Sequence, residues 1–275
     1  MTAYGIYASG KHTRLCGITD QGDVNFLERY TEDQDLSHKA WVHDGEKLAK
    51  RVCAHLPRRD MPVYLAVPCG IYQIRRVPLE VAEEVDRLSQ VRWEVQQALC
   101  ASEGEYSVDY VASGSSAIWV AIPTVCVDRL SKAFENEGVK LFGLTAEPIA
   151  LAKALRRQNT GDHSRAIFSG PEWIATVEIQ NGTLVSATTQ NTPSYRDNGW
   201  ESKPESWRDL VRKRIEESSV PTYIVGEEEH LAGFLSEVNA PQPLLVNETE
   251  GALPPDTLLS IAYGAALSGI DKDLL

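Results

Sequence analysis

Val91-Arg92-Trp93-Glu94-Val95-Gln96-Gln97-Ala98-Leu99, followed by Tyr106-Ser107-Val108-Asp109-Tyr110, is the stretch on which the rest of the chain depends. Val81, Val85, Leu88, Val91, Val95 and Leu99 recur at three- and four-residue steps, which predicts a helix with one apolar stripe. Ser102-Glu103-Gly104 breaks that pattern. Beyond it Tyr106, Val108 and Tyr110 alternate with polar neighbours, as a half-buried strand does. Periodicity alone makes Trp93 an aromatic at the edge of a core and Glu94 a solvated carboxylate.

Strands and helices alternate on either side of this segment. Residues 3–30 read as three strands, Ala3–Ala8, Arg14–Thr19 and Asp23–Tyr30, with turns at Ser9-Gly10 and Gln21-Gly22-Asp23. A short helix over Glu46–Leu56, a buried strand Val63–Val67 and a strand Ile71–Val77 lead into the long helix Leu79–Leu99. Tyr106–Ala112 and Ala117–Ile122 form a hairpin about Ser113-Gly114-Ser115. Then come a helix Val125–Glu137 stopped by Gly138, a strand Val139–Leu144 and a helix Pro148–Arg157 with Pro in its first turn.

After the polar segment Asn159–Ser164 the opening pattern returns. Arg165–Phe168, Trp173–Ile179 and Thr183–Thr189 read as strands, the last two joined at Gln180-Asn181-Gly182, a strong hairpin signal. A helix Ser206–Glu217, a strand Thr222–Val225, a helix Glu229–Val238, a strand Leu244–Val246 and a helix Asp256–Leu267 follow. Three strands and then αβαβα occur twice, with extra elements near 71–122 in the first copy. The fold class is therefore α/β, with duplicated βββαβαβα lobes of the actin-like (ribonuclease-H-like) kind. The expected division is a first lobe of residues 1–78 and 119–158, an inserted subdomain of 79–118, and a second lobe of 159–275. The second lobe is reduced, because only Gln190 to Glu205 separate its third strand from the next helix.

At 275 residues the chain is long enough for two lobes with separate cores. Its net charge of −12, and the dispersal of Arg58-Arg59, Arg75-Arg76 and Arg212-Lys213-Arg214, argue against a nucleic-acid surface. Met1–Thr13 has no apolar core of a signal peptide. The longest apolar stretch, Leu258–Ile270, is interrupted and falls short of the roughly 20 residues that span a bilayer. The expectation is a cytoplasmic protein with no direct membrane insertion. Five cysteines, widely spaced and without a C-x-x-C pair, suit reduced thiols. Neither His12 near Cys16 nor His55 near Cys53 builds a four-ligand set, so no metal is expected.

Arg92, Trp93, Glu94, Asp109 and Tyr110 resemble the helix-to-strand signature of PilM, the actin-like assembly protein of type IV pili. Gly143-Leu-Thr-Ala-Glu147-Pro148-Ile-Ala-Leu-Ala-Lys-Ala-Leu155 is similar to that family's segment between the lobes, and Ile261-Ala-Tyr-Gly264-Ala-Ala-Leu267-Ser-Gly269 to its C-terminal helix. The three matches fall in the right order over most of the chain. The resemblance implies a cytoplasmic scaffold that docks the short tail of an inner-membrane, PilN-like partner and connects it to the assembly ATPase. The protein would then sit peripherally at the inner membrane. In PilM-like proteins the tail lies between the first lobe and its insert, so Arg92, Trp93 and Gln96 are the partner-binding candidates. The cytoplasmic domain of GspL-type secretion proteins and the cell-division protein FtsA are related; filament formation, as in FtsA, is a rival role.

The same resemblance bears on nucleotide. Actin-like ATPases place a tight glycine hairpin and a metal-holding Asp in each lobe, because a hard cation takes oxygen ligands and a side chain would block the phosphates. The degenerate nucleotide-binding candidates are Ser9, Gly10, Lys11 and Arg14 in the first hairpin, Ser169 and Gly170 in the second, and Gly226 in the adenosine-contacting loop. Here Tyr7 and Phe168 stand at the two Asp positions, Ser9 stands for a Gly and Thr145 for a junction Asp. Pro171 removes a backbone donor, one of two adenosine-loop glycines is missing, and Glu227-Glu228-Glu229 adds negative charge. The departures all remove metal and phosphate contacts, so neither ATP hydrolysis nor a cofactor is expected. No Gly-x-Ser-x-Gly elbow, dinucleotide fingerprint or Walker loop is present, and no catalytic residue is assigned. The alternative is an active actin-like ATPase or sugar-kinase-like phosphotransferase, with Asp20, Glu147 or Glu172 replacing the lost carboxylates.

Overall fold

β1 (Ala3–Ile18) is buried at both ends and least buried around Gly10-Lys11-His12. The chain reverses there, with Gly10 at φ +55°. The Tyr4 ring lies 3.1 Å from where a Cβ on Gly17 would stand, whereas one straight strand would hold the two residues about 40 Å apart. The first half of β1 runs parallel to β3 (Val63–Val67), Tyr4 opposite Val63 and Tyr7 opposite Ala66. The second half runs antiparallel to β2 (Val24–Leu36), from the His12–Thr31 pair to Ile18–Val24. β7 (Leu141–Ala146) pairs in parallel with β3, giving the order β2-β1-β3-β7. The computed structural model describes residues 3–36, 41, 43–80, 84–158, 161–170, 173–191, 207–216, 219–226, 231, 242–244 and 256–270.

The second lobe repeats this plan. Its sheet runs β10-β9-β8-β11-β12, formed by β8 (His163–Ser169), β9 (Trp173–Gln180), β10 (Thr183–Asn191), β11 (Thr222–Gly226) and β12 (Gln242–Pro243). β8, β9 and β10 are antiparallel neighbours, whereas β11 is parallel to β8 and β12 to β11. Asn181 and Gly182 both take positive φ, 50° and 73°, in the tight β9–β10 turn the sequence predicts. Because β1 folds back, its two halves match β9 and β8, and the two sheets share one five-lane layout.

Six helices complete the described fold: α1 (Gly45–Cys53), α2 (Glu84–Leu99), α3 (Thr124–Asn136), α4 (Glu147–Arg157), α5 (Trp207–Glu216) and α6 (Leu259–Leu267). The Asp44 side chain accepts from Lys47 N–H to start α1, and Gly138, at φ +72°, follows the end of α3. α4 and α6 are buried along almost their whole lengths, because α4 lies against strands of both lobes and α6 against β1 and β3. A helix covered on all sides needs no polar stripe, which explains the run Ile149-Ala150-Leu151-Ala152. α5 closes a separate small core of Ile167, Ile174, Val211, Ile215, Ile224 and Leu231.

The insert is larger than 79–118. β4 (Gln73–Pro78), β5 (Tyr106–Ser113) and β6 (Ser116–Pro123) form a third sheet of order β4-β6-β5. β4 pairs with β6 over its full length, from Gln73–Ala121 to Pro78–Ser116, so neither strand belongs to the first lobe's sheet, although Ile118, Val120 and Ile122 still pack into the main core. The described helix covers Glu84–Leu99, and Leu79 and Glu80 lie outside it: Glu80 N–H and Pro78 O are both held by the Gln90 amide. Helix 229–238 apart from Leu231, residues 245–246 of the last strand and most of the segment 190–205 fall outside the described residues. Among the described residues no helix is long and apolar enough to cross a membrane.

Candidate functional site

Two places arise from this arrangement, the junction where the lobes meet and a groove beside the insert. At the junction, Tyr7 on β1 and Phe168 on β8 are both 2% exposed and meet edge to face, ring centres 6.2 Å apart. The Phe168 and Trp173 rings both close on Gly170, each within 3.3 Å of its would-be Cβ. Three aromatic rings therefore cluster at the junction beside the Gly170 turn.

Glu147, the first residue of α4, lies under these rings and is 1% exposed. Its Oε2 accepts from Cys69 N–H of the first lobe and from Trp173 Nε1 of the second, both at 3.0 Å. Burial raises its carboxyl to about 7, although the Cys69 amide, the Tyr7 hydroxyl and the Trp173 indole all favour the ionised form. Burial is also the main reason that Cys69 is pushed up to about 11, and the Thr189 side chain, on β10, hydrogen-bonds that thiol.

The seven nucleotide-binding candidates are placed as follows. Ser9, Gly10 and Lys11 form the reversal of β1, where Gly10 O accepts from Arg51 Nη1 at 3.0 Å and Lys11 is exposed. Arg14 does not point at an open phosphate site. Its Nε is 2.5 Å from Asp256 Oδ2, and its Nη1 donates to Tyr30 O at 3.1 Å and Thr13 O at 3.2 Å. Ser169 pairs with Gly226 across β8 and β11. Gly226 N–H donates to Thr257 Oγ1 at 3.0 Å, and a Cβ there would stand 2.8 Å from Ser169 O. Gly170 N–H donates to Trp173 O at 2.9 Å. Asp256 and Thr257 place Arg14 near Gly226, which pairs with Ser169, but Arg14 and the Gly170 and Gly226 amides already have protein acceptors. Sequence reasoning missed Asp256 and Thr257, which carry no motif of their own. Of the rescue carboxylates Asp20 is exposed and Glu147 is buried under the rings, while Glu172 and Pro171 lie outside the described residues, as does Glu227–Glu229.

The groove lies between β7, α3 and the outward face of the β5–β6 hairpin. Alternation decides its lining. On β6, Ala117, Trp119 and Ala121 turn toward Val91 and Val95 of α2, while Val120 and Ile122 turn into the groove. On β5, Val108 packs with the α2 cluster and also borders the groove, and Ser107 and Asp109 line it. β7 contributes Leu141–Ala146 and leaves its outer edge unpaired among the described residues. Phe142 at 50% exposure stands on that edge. The cavity is about 370 Å³ and mostly apolar, with Asp109 its one charged lining residue.

Arg92, Trp93 and Gln96 do not line this groove. Packing of Val91 and Val95 onto the third sheet turns Arg92 and Trp93 away from it, and Trp93 is 56% exposed. Of the residues that do line it, Asp109 and Gly143–Ala146 fall in the motifs that carry the resemblance, whereas Val120 and Ile122 were legible only as part of a strand.

No family model matches the chain, and no curated protein does. Solved structures do. A chain of a PilM-PilN type IV pilus biogenesis complex superposes with TM-score 0.72 at 15% identity, with 98% of each chain covered. The cytoplasmic domain of EpsL, an inner membrane component of the type II secretion system of Vibrio cholerae, gives TM-score 0.54 at 8% identity, covering 96% of this chain and 94% of that one. A Bacteroides thetaiotaomicron protein of unknown function with an actin-like ATPase fold gives 0.51 at 14%, covering 86% and 87%. The chain is PilM-like in architecture and has the actin-like ATPase fold.

Proposed function

We propose that this protein is a scaffold of a type IV pilus or related secretion assembly platform. It docks the cytoplasmic tail of an inner-membrane, PilN-like partner, is held at the inner membrane through that partner, links it to the assembly ATPase, and does not hydrolyse ATP. The observation that carries the reading is the groove beside β7. An unpaired strand edge with no charged residue invites a further strand. An extended tail laid there hydrogen-bonds through its backbone to β7 and sends alternate side chains into the apolar pocket formed by Val120, Ile122 and Ile149. Asp109 favours a Lys or Arg on that tail.

The fold neighbours support the same reading, since one comes from a PilM-PilN complex and another is a component of a type II secretion system. The aromatic junction supports the absence of hydrolysis: neither Tyr7 nor Phe168 supplies a carboxylate for a hard cation, and their rings are packed together and buried.

The test uses labelled synthetic peptides copying the cytoplasmic tails of inner-membrane pilus and secretion proteins from the same genome, titrated with the purified chain. One tail is expected to bind saturably, and Phe142→Asp is expected to weaken it at least about tenfold, a loss of 1.4 kcal/mol. Tails that all fail to bind, or binding that Phe142→Asp leaves unchanged, overturn the docking reading.

A further inference from the structure

A second cavity lies in the second lobe, between the β8–β10 part of its sheet and α5, with a volume of about 560 Å³. It shares no lining residue with the groove beside β7. In a chain of net charge −12 it brings together, among the described residues, three cationic side chains, Arg165, Lys213 and Arg214, and one carboxylate, Glu178.

The hydrogen-bond account within it is lopsided. Glu178 is fully engaged, with Oε2 accepting from Arg165 Nη2 at 3.3 Å and Oε1 2.6 Å from His163 Nε2. The Gln190 amide oxygen accepts from Arg214 Nη2 at 2.8 Å, and Thr176 Oγ1 accepts from Arg214 Nη1 at 2.9 Å. Each of these side-chain acceptors is therefore already used. Donors are not. Arg165 Nε is closed off from solvent and has no acceptor among the described residues. The exposed Lys213 ammonium and the Ser186 and Thr188 hydroxyls, all lining the cavity, have no partner among the described residues. The backbone fixes this array: Arg165 Nη1 donates to Arg214 O at 3.0 Å, tying β8 to the last turn of α5.

The open donors are the Lys213 ammonium and the Ser186 and Thr188 hydroxyls, beside the Arg165 and Arg214 guanidinium groups. A group that binds here must bring acceptors and negative charge. We propose that this cavity binds a small phosphate-bearing anion. Phosphate oxygens accept from a guanidinium edge, an ammonium and hydroxyls at once, which a monocarboxylate with two oxygens does less completely. The volume leaves room for more than the phosphate alone, so the ligand class is a phosphorylated small molecule rather than inorganic phosphate itself. This site is independent of tail docking, because its residues lie on a different lobe and face.

Inorganic phosphate and pyrophosphate are the probes, titrated calorimetrically into the full chain at constant ionic strength. Saturable binding is expected, tighter for pyrophosphate. Lys213→Ala is exposed and should fold normally, and it is expected to weaken pyrophosphate about tenfold. Ser186→Ala with Thr188→Val is expected to weaken it further without changing the thermal midpoint in phosphate-free buffer. The absence of saturable heat from either probe at tens of millimolar overturns the proposal. So does binding that neither variant changes.

Discussion

Glu147 is the residue on which the junction turns. The folded protein raises its carboxyl from 4.5 to about 7, so the native state holds a proton that the unfolded chain releases over that interval. The stability contributed by neutral Glu147 is complete below about pH 4.5 and is lost as pH rises through about 7, a loss of about 3 kcal/mol. Glu147→Gln keeps the acceptor for Cys69 N–H and Trp173 Nε1 but removes the titration. Its thermal midpoint is expected to exceed that of the parent at pH 8 by roughly 8 °C and to match it near pH 5, in paired thermal melts. An equal gap at both pH values would show that Glu147 is already neutral, or already ionised, throughout. Its neighbours were partly legible. Tyr7 and Phe168 announced themselves by standing where the resemblance places carboxylates. The role of Glu147 was not legible, because its partners Cys69 and Trp173 are 78 and 26 residues away and only the folded junction brings them together.

At the scale of elements, α6 and its neighbours are set by two glycines. A Cβ on Gly264 would stand 1.7 Å from Ala150 O of α4, and one on Gly5 would stand 1.9 Å from Ala262 O of α6. Both obstacles are backbone, which cannot swing aside. In an isolated helix Gly→Ala gains about 1 kcal/mol. Here the sign reverses: Gly264→Ala is expected to cost several kcal/mol by forcing α4 and α6 apart, measured as a shift in the denaturant midpoint. An unchanged or raised midpoint would mean the helices can separate freely. Trp93→Ala supplies the contrast. Trp93 stands on the outer side of α2 and outside the groove, so its loss should change stability by no more than about 0.5 kcal/mol and leave tail binding unaltered. Periodicity identified α2 and the β5–β6 hairpin correctly, because their apolar spacing survives burial. The partner-binding candidates Arg92, Trp93 and Gln96 lie outside the groove, since a sequence match marks which residues recur and not which side of the helix the sheet covers. β4 was placed in the wrong sheet for a related reason: a strand's own pattern does not name its neighbour.

The duplication was legible at the scale of the whole molecule, because element order alone repeats and a βββαβαβα order admits few topologies. The mutual position of the two lobes was not, since no single segment carries it. Three sets of contacts fix that position. The Tyr7, Phe168 and Trp173 rings close the junction, α4 touches strands of both lobes, and β10 of the second lobe meets β4 and β5 of the insert. The Arg14–Asp256 pair adds a buried link from the β1 reversal to the turn before α6. An actin-like protein that uses nucleotide must leave room for it between these same segments. A ligand that binds only the folded state at a thousand times its dissociation constant would stabilise by about 4 kcal/mol, which in a chain of this size raises the thermal midpoint by roughly 10 °C. Millimolar ATP with Mg²⁺ is expected to move the midpoint by less than about 1 °C, because binding would first require three packed aromatic rings to leave a buried site. Tyr7→Ala with Phe168→Ala separates the two terms of that argument. It is expected to lower stability by several kcal/mol, yet still give no ATP-dependent shift, because removing the rings restores space and not the missing carboxylates. A large ATP-dependent shift in the parent would return the phosphotransferase reading. A shift in the double variant alone would mean that the rings, and not the lost carboxylates, are what exclude nucleotide.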